Sequence, residues 1–283
     1  MLANIETALI TGASGGIGEA FARRLAGLGK NLILVARREQ RLRGLAEELA
    51  SEHGVDVHVI VADLARPDSA SAIHAETERL GLVVDLLVNN AGFAKAGEFS
   101  QLSFEVQADM VRLNVNTLLE LTRLYLPAMR QRKRGGVINL GSTASFQPVP
   151  YMAVYGATKA FVLSFSEAVA EEVAADGVTV MALCPGATVT DFWETAGMWE
   201  EQQGSMVTPE ELVAEALDAF EERRHFFIHG GLNKVAAIMA RLTPPRLLSY
   251  HGSLPKPNPK RIAISPPNAR IARTTASQSA GRK

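Results

Sequence analysis

Tyr155 and Lys159 are the residues whose types and spacing most directly indicate chemistry. Four residues apart on a helix, a phenol and an ammonium project from the same face. A phenol with a pKa of about 10 exchanges protons poorly at neutral pH, and a neighbouring cation favours its ionised form. The pair therefore predicts a general acid and base; a solvated helical lysine is the alternative interpretation of Lys159.

A glycine-rich turn at residues 11–18 predicts a phosphate-binding site. It reads TGASGGIG and lies between an apolar run at residues 7–10 and an amphipathic segment. Glycine permits a bend without Cβ strain, a close approach of backbone to a diphosphate, and tight packing of a helix on a strand. The order strand, turn, helix directs backbone N–H groups toward an anion.

With two further elements, these motifs closely resemble those of the classical short-chain dehydrogenase/reductase family. The turn has the spacing TGxxxGxG, residues 89–92 read NNAG, Ser142 follows an apolar run, and Tyr155 and Lys159 form YxxxK. The resemblance covers about residues 7–228. It implies hydride transfer between a nicotinamide and a carbonyl or secondary alcohol.

The resemblance also implies four catalytic residues. The tyrosine matching Tyr155 is the family's general acid and base, and the serine matching Ser142 hydrogen-bonds the substrate carbonyl. Lys159 supports the phenolate and could reach the nicotinamide ribose with its other donors. The asparagine matching Asn114 holds a water next to the lysine.

Neighbouring residues offer alternatives to two of these assignments. Thr143 and Ser145 are hydroxyl residues close to Ser142, and Asn116 lies two positions after Asn114. Ser142 directly follows the predicted strand and so fits the motif best. Asn114 has the position that the family uses, and an asparagine inside a helix is otherwise unfavourable.

The cofactor-binding residues implied by the resemblance follow the same motifs. They are Gly12, Ser14, Gly16, Ile17, Gly18, Arg37, Arg38, Asp63, Leu64, Asn90, Ala91, Gly92, Tyr155, Lys159, Pro185, Gly186, Thr188 and Thr190. Asp63 would accept from the adenine amino group beside the N–H of Leu64, or would cap a helix that begins at Pro67. The backbone at Thr188 and the hydroxyl of Thr190 would hold the carboxamide.

The end of the second predicted strand favours NADP(H) over NAD(H), which stays possible. Sites of this type place an acidic residue there to accept from the adenosine ribose in NAD. This chain has Ala36, Arg37 and Arg38 instead. No carboxylate repels a 2′-phosphate, and a guanidinium, that of Arg37 in particular, can bind the phosphate with two hydrogen bonds. Solvated arginines that begin a charged helix are the alternative.

Strand-like and helical patterns alternate along most of the chain, which predicts an α/β doubly wound parallel sheet of the Rossmann type. Apolar runs lie at residues 7–10, 32–36, 55–62, 84–89, 136–140, 178–184 and 226–228. Helical periodicity lies at residues 19–28, 39–52, 67–80, 106–129 and 155–174. The active site is then expected at the carboxyl ends of the strands.

Composition bounds the class of protein. The 283 residues carry a formal net charge of −1, which argues against nucleic-acid binding. A single cysteine, Cys184, cannot form an internal disulfide, and it is expected to be a buried strand residue. The histidines show no metal-ligand spacing, and no apolar run is long enough for a transmembrane segment. We therefore expect a cytoplasmic protein without a metal.

The chain is expected to divide into three parts. Residues 1–230 form the catalytic domain, with a lid near 191–206 that contains both tryptophans; residues 231–250 form an amphipathic segment. Residues 251–283 are rich in Pro, Ser, Arg and Lys, which predicts a disordered basic tail. The tail could contact an anionic membrane surface or a partner, but a solvated extension is the preferred interpretation.

These features predict an NADP-preferring oxidoreductase that reduces a hydrophobic ketone or acyl substrate. The alternatives are an extended-type nucleotide-sugar epimerase or dehydratase and a non-catalytic NADP-sensing protein. The first normally has a TGxxGxxG turn and a longer carboxyl-terminal domain, and the second typically lacks the tyrosine or lysine. A homodimer or homotetramer is expected because matching helices pair in related proteins; here they carry Leu118, Leu119, Leu163 and Phe165.

Overall fold

Seven short apolar segments form the strands of one parallel sheet in the computed structural model, which describes residues 1–198 and 206–243. The strands are β1 (Thr7–Thr11), β2 (Asn31–Ala36), β3 (Val57–Val61), β4 (Leu86–Asn89), β5 (Gly136–Leu140), β6 (Thr179–Cys184) and β7 (Phe226–Ile228). Their order is β3-β2-β1-β4-β5-β6-β7, with every neighbouring pair parallel. The order reverses between β1 and β4, which confirms the predicted doubly wound sheet.

Helices cover both faces of this sheet. They are α1 (Gly16–Gly27), α2 (Glu39–His53), α3 (Ser69–Arg79), α4 (Phe104–Val111), α5 (Leu118–Arg132), α6 (Ala153–Val173), α7 (Phe192–Ala196), α8 (Pro209–Glu221) and α9 (Gly231–Leu242). Because successive strand side chains point to opposite faces, Ile10 packs in one core with α1 and α8, whereas Leu9 packs in the other with α5 and α6.

Two of the predicted helical segments differ from the observed helices in ways that affect site residues. The segment expected at residues 106–129 is α4 and α5 joined by a π-helical stretch, Arg112–Thr117. The helix expected from Pro67 begins at Ser69, and its N-cap residue is Asp68 in the left-handed region. Asp63 therefore does not cap this helix, and the capping alternative for that residue is wrong.

Three predicted segments are covered only in part or not at all. Of the lid near residues 191–206, the helix α7 is described, and residues 199–205 lie outside the described range. The amphipathic segment is described as far as Thr243, and the tail at 251–283 lies outside the described residues. Within the parts of the chain that are described, no helix is both long and apolar enough to cross a membrane.

A buried carboxylate connects several strands at the edge of the sheet opposite the predicted active site. Asp85, directly before β4, is 1% exposed and accepts from the N–H of Glu6 at 3.0 Å. Its other oxygen lies 3.5 Å from Nε of Arg134 and 3.7 Å from Nη2 of Arg132. These contacts join the residues that precede β1, β4 and β5. Within the described residues, the ion-pair partners of the Asp85 carboxylate are Arg132 and Arg134.

Replacing Asp85 by alanine is expected to lower the free energy of unfolding by about 2–3 kcal/mol, because a charge-assisted hydrogen bond is lost and two arginines lose a partner. The measurement is denaturant unfolding. Glu6→Gln is the control, because exposed Glu6 also pairs with Arg134, at 3.5 Å. This variant should lower the free energy of unfolding by less than about 0.5 kcal/mol. Equal losses in the two variants would contradict a special role for Asp85.

Candidate active site

The glycine-rich turn connects β1 to α1 at the carboxyl edge of the sheet. Gly12 and Gly16 have φ values of +67° and +56°, in the region that favours glycine. A Cβ at Gly12 would lie 2.8 Å from Nδ2 of Asn90, and one at Gly16 would lie 2.9 Å from a methyl carbon of Thr190. The turn therefore leaves no space for side chains at these positions.

A set of hydrogen bonds holds this turn against the residues that follow β4. The side-chain amide of Asn90 donates to the carbonyl oxygens of Thr11 at 2.8 Å and Gly12 at 3.3 Å. The Thr11 hydroxyl oxygen accepts from the N–H groups of Asn90 and Ala91 and donates to the carbonyl of Val88. Sequence reasoning missed Thr11, although its place at the head of the TG motif was a usable signal.

The turn fits the diphosphate of a dinucleotide. Its glycines present bare backbone, and the first N–H groups of α1, which begins at Gly16, have no partners within the helix. Such a helix start attracts an anion through these donors and through the helix dipole. The residues predicted to hold the diphosphate thus lie together in a suitable arrangement.

The structure distinguishes the two arginines after β2. Nε of Arg38 donates to the Ser14 hydroxyl at 3.0 Å, and Nη2 donates to the Ser14 carbonyl at 2.8 Å. Nη1 lies 3.6 Å from a carboxylate oxygen of Asp191 in the lid. Arg37 is exposed. The guanidinium at the glycine turn is therefore that of Arg38, whereas sequence reasoning favoured Arg37.

Asp63 and Leu64 follow β3 on the same edge. Asp63 is exposed, and its Oδ1 accepts from the N–H of Ala65 at 3.2 Å. The carbonyl of Leu64 accepts from the hydroxyl of Thr117 at 2.6 Å. These bonds fix the loop after β3, and the adenine contact stays a prediction for both residues.

Helix α6 and the end of β5 bring the predicted catalytic residues together. Tyr155 and Lys159 lie one turn apart on α6 and are both buried, and Nζ of Lys159 is 5.7 Å from the centroid of the Tyr155 ring. Nζ also donates to the carbonyl of Leu140, the last residue of β5, at 2.6 Å. The Ser142 side chain lies close enough to the Tyr155 hydroxyl to favour its ionised form.

Burial opposes the charged form of both members of the pair. It raises the pKa of the Tyr155 phenol to about 12, although the hydrogen bond with Ser142 acts in the opposite direction. It lowers the pKa of the Lys159 ammonium to about 8. The phenol pKa is thus raised and not lowered as expected, because the loss of hydration outweighs the effect of Ser142. At neutral pH the phenol carries its proton.

The hydroxyl residues near Ser142 have separate positions. Ser145 donates from its hydroxyl to the carbonyl of Lys159 at 2.8 Å and accepts from the N–H of Ser142 at 3.2 Å. Ser145 therefore connects the end of β5 to α6. The Oγ of Ser142 accepts from the N–H of Ala144, and Ser142 is the neighbouring hydroxyl that affects the pKa of Tyr155.

Asn114 lies inside the π-helical stretch and is buried, whereas Asn116 is exposed. Its side chain accepts from the N–H of Phe93 at 3.1 Å and donates to the Phe93 carbonyl at 3.0 Å and to the Thr158 hydroxyl at 3.2 Å. π-Helical turns are rare and are frequent at functional sites. Asn114 thus joins the loop after β4 to α6, and its water-holding role stays a prediction.

The segment after β6 covers the site from above. The Trp193 indole donates to the carbonyl of Thr188 at 3.1 Å, and the Thr190 hydroxyl accepts from the N–H of Phe192 at 3.3 Å. The Phe192 ring lies 5.5 Å from the Tyr155 ring, measured between centroids. Further apolar side chains pack around this pair, namely Ala94, Met110, Val149, Met152, Ala196 and Met198. The surroundings of the phenol are therefore apolar.

The sequence is similar to those of known proteins. A model described as short chain dehydrogenase matches residues 6–201. The 7beta-hydroxysteroid dehydrogenase of Collinsella aerofaciens is 35% identical over 218 residues, which are 75% of this chain and 82% of the relative.

Two solved structures extend the similarity to the fold. A short-chain dehydrogenase from Sphingobium yanoikuyae in complex with NADPH has a TM-score of 0.77 and 37% identity, and the match covers 87% of this chain and 95% of that chain. The bulky-bulky ketone specific alcohol dehydrogenase from Comamonas testosteroni has a TM-score of 0.73 and 32% identity, and the match covers 87% of this chain and 94% of that chain.

The lowered pKa of Lys159 predicts a pH-dependent stability. Between its folded value of about 8 and its ordinary value of 10.5, the unfolded lysine binds more protons, so the destabilisation caused by burying this group decreases as pH rises. From pH 8 to pH 10, the unfolding free energy of the wild type should rise relative to Lys159→Met by on the order of 2 kcal/mol. Denaturant unfolding at several pH values measures it, and a pH-independent difference would contradict it.

Proposed function

The chain belongs to the short-chain dehydrogenase family, and from this premise we propose that it uses NADPH to reduce a hydrophobic ketone or acyl substrate to the alcohol. The family and its relatives establish that the protein is an NAD(P)-dependent oxidoreductase acting on CH–OH groups. The preference for NADPH, the direction and the substrate class are the proposal. The observation that carries it is a buried phenol in apolar surroundings, with the ammonium of Lys159 5.7 Å from the centroid of its ring.

In the proposed reaction, the Ser142 hydroxyl and the Tyr155 phenol both donate hydrogen bonds to the substrate oxygen. This orients the carbonyl and stabilises the negative charge that develops on that oxygen. Tyr155 then transfers its proton to the oxygen as general acid. Because burial raises the pKa of the phenol, the donor is already in the required form at neutral pH.

Lys159 and Asn114 are proposed to support this proton transfer. The Lys159 ammonium, held by the Leu140 carbonyl, stabilises the phenolate that remains after Tyr155 has lost its proton. Asn114 fixes the π-helical stretch against Phe93 and α6. A water beside Asn114 would let the lysine pass a proton toward the phenolate.

The cofactor would lie along the carboxyl edge of the sheet. NADPH, when bound, supplies the hydride from its nicotinamide ring. The glycine turn would bind the diphosphate with backbone N–H groups, and the guanidinium of Arg38 would meet the 2′-phosphate. Thr188 and Thr190 would hold the carboxamide. Cellular NADPH is kept largely reduced, which supports reduction as the direction.

The apolar lining supports a bulky hydrophobic substrate. Phe192 and Trp193 lie over Tyr155 with Met152 and Met198 nearby, and none of these side chains carries a charge. The similarity to a hydroxysteroid dehydrogenase and to an alcohol dehydrogenase specific for bulky ketones agrees with this lining. The carbonyl would thus be recognised by two hydroxyls and the rest of the substrate by apolar contact.

We also propose a cytoplasmic homodimer or homotetramer. Of the four apolar residues expected at the helix interface, Leu118 and Leu163 are buried within the chain itself. Leu119 stays exposed, and the exposed ring of Phe161 stacks on Phe165 at 5.6 Å. These outward side chains on α5 and α6 are the surface that would pair.

Replacing Tyr155 by phenylalanine tests the proposed function. The variant keeps the ring but lacks the proton donor, so NADPH-dependent reduction of a panel of ketones, acyl thioesters and quinones should fall by at least about 10²-fold. NADPH affinity should change little. Tyr125→Phe is the matched control, because it removes another buried hydroxyl, one that bonds Thr77 at 2.9 Å. Near wild-type turnover by Tyr155→Phe would refute the proposal.

Paired variants of the two arginines test the cofactor preference. Arg38→Ala should raise the NADPH dissociation constant about ten- to a hundredfold, since a charge-assisted contact with the phosphate is lost. The NADH constant should change much less, and exposed Arg37→Ala should have a smaller effect on NADPH. Binding titrations with both nucleotides provide the measurement. Equal losses for NADPH and NADH in Arg38→Ala would mean that Arg38 supports the turn instead of binding phosphate.

A further inference from the structure

Helix α9 buries two alanines against the domain and exposes its large apolar residues. Ala237 and Ala240 are buried against the domain. The side chains of Leu232, Val235, Ile238, Met239 and Leu242 are between 55% and 88% exposed. At 100° per residue these five fall on one arc of the helix. We call this set the α9 stripe.

The polar contacts of α9 fix its orientation on the domain. Arg241 pairs with Glu167 on α6 at 3.2 Å and lies over the ring of Phe146 at 5.2 Å. Lys234 lies over the ring of Phe227 at 5.3 Å. Asn233 donates to the carbonyl of His229 at 2.9 Å. Because these side chains bind the protein body, rotating the helix to bury the α9 stripe would break all of these contacts.

A strongly basic sequence follows the helix. Residues 244–283 contain five arginines and three lysines, and the chain has no acidic residue after Glu222. This gives the sequence after the α9 stripe a charge of +8. An apolar stripe continuous with a cationic segment is the combination by which peripheral proteins bind anionic lipid, through apolar insertion and electrostatic attraction.

We propose that the α9 stripe is a docking surface for an anionic lipid bilayer. The bilayer supplies both an apolar region for the five side chains and negative charge for the +8 segment. A second copy of the chain would carry the same +8 sequence, and like charges repel. The protein's own last 33 residues, 251–283, contain few large apolar side chains that could cover the stripe.

The test measures co-sedimentation of the full-length protein with lipid vesicles. One set contains phosphatidylcholine alone, and the other contains about 30% phosphatidylglycerol. The wild type should bind the anionic vesicles at least about tenfold more tightly, and raising the salt to about 0.5 M should weaken this binding.

Two variants separate the apolar and the electrostatic contributions. Ile238→Ser with Leu242→Ser should weaken binding to anionic vesicles roughly tenfold or more, since apolar area is lost without a change of charge. Lys256→Glu with Lys260→Glu should also weaken it and reduce its salt dependence. The matched control is Leu80→Ser with Val83→Ser, which removes two exposed apolar side chains elsewhere and should leave binding unchanged. NADPH affinity and melting temperature report that each variant is folded.

Three outcomes would overturn the proposal. The first is that the wild type binds neither type of vesicle. The second is that the control variant loses as much affinity as the α9 variant. The third is that sedimentation velocity shows the α9 variant to dissociate an oligomer while vesicle binding is unaffected, because the occupant of the stripe would then be a second copy.

Discussion

The contact between the β1 turn and the residues after β4 is the constraint on which the site depends. It lies where the strand order reverses, so two loops diverge there and leave a crevice. Thr11 and Asn90 close the base of that crevice with hydrogen bonds to backbone. These bonds hold the turn in place, and the first N–H groups of α1, which have no partners within the helix, can bind a phosphate.

Burial determines the electrostatics of the catalytic residues. Tyr155 and Lys159 lose water on the same helix face, and each is shifted toward its neutral form. The phenol is therefore kept as a proton donor, while the ammonium becomes easier to deprotonate. A lysine with a pKa close to the operating pH is suited to passing on a proton. The buried ammonium destabilises the fold. Groups that are needed for function commonly lower stability in this way.

The two edges of the sheet have different functions. At the amino edge, Asp85 and its arginines join three strands, and the charges are compensated within the protein. At the carboxyl edge, donors and hydroxyls converge on a space lined by apolar side chains. Asp191 of the lid lies 3.6 Å from Arg38 at this edge. The same arginine therefore contacts the lid and is proposed to bind the phosphate.

The sequence alone was enough to predict the fold class, the order of the elements and the catalytic motif, because hydrophobic periodicity and short glycine, serine and tyrosine spacings are local. It predicted Tyr155, Lys159 and Ser142 as neighbours, and the structure brings them together. It preferred Ser142 to Ser145 only because Ser142 directly follows the strand and fits the motif best.

Tertiary structure decided what depends on side-chain direction and on partners distant in sequence. It placed Arg38, and not Arg37, against Ser14, and it set Ser145 on the carbonyl of Lys159. It also put Asn114 into a π-helical turn and turned the large apolar residues of α9 outward. Each result depends on packing between elements, and a periodic pattern shows that a helix has two faces without showing which face the rest of the protein covers.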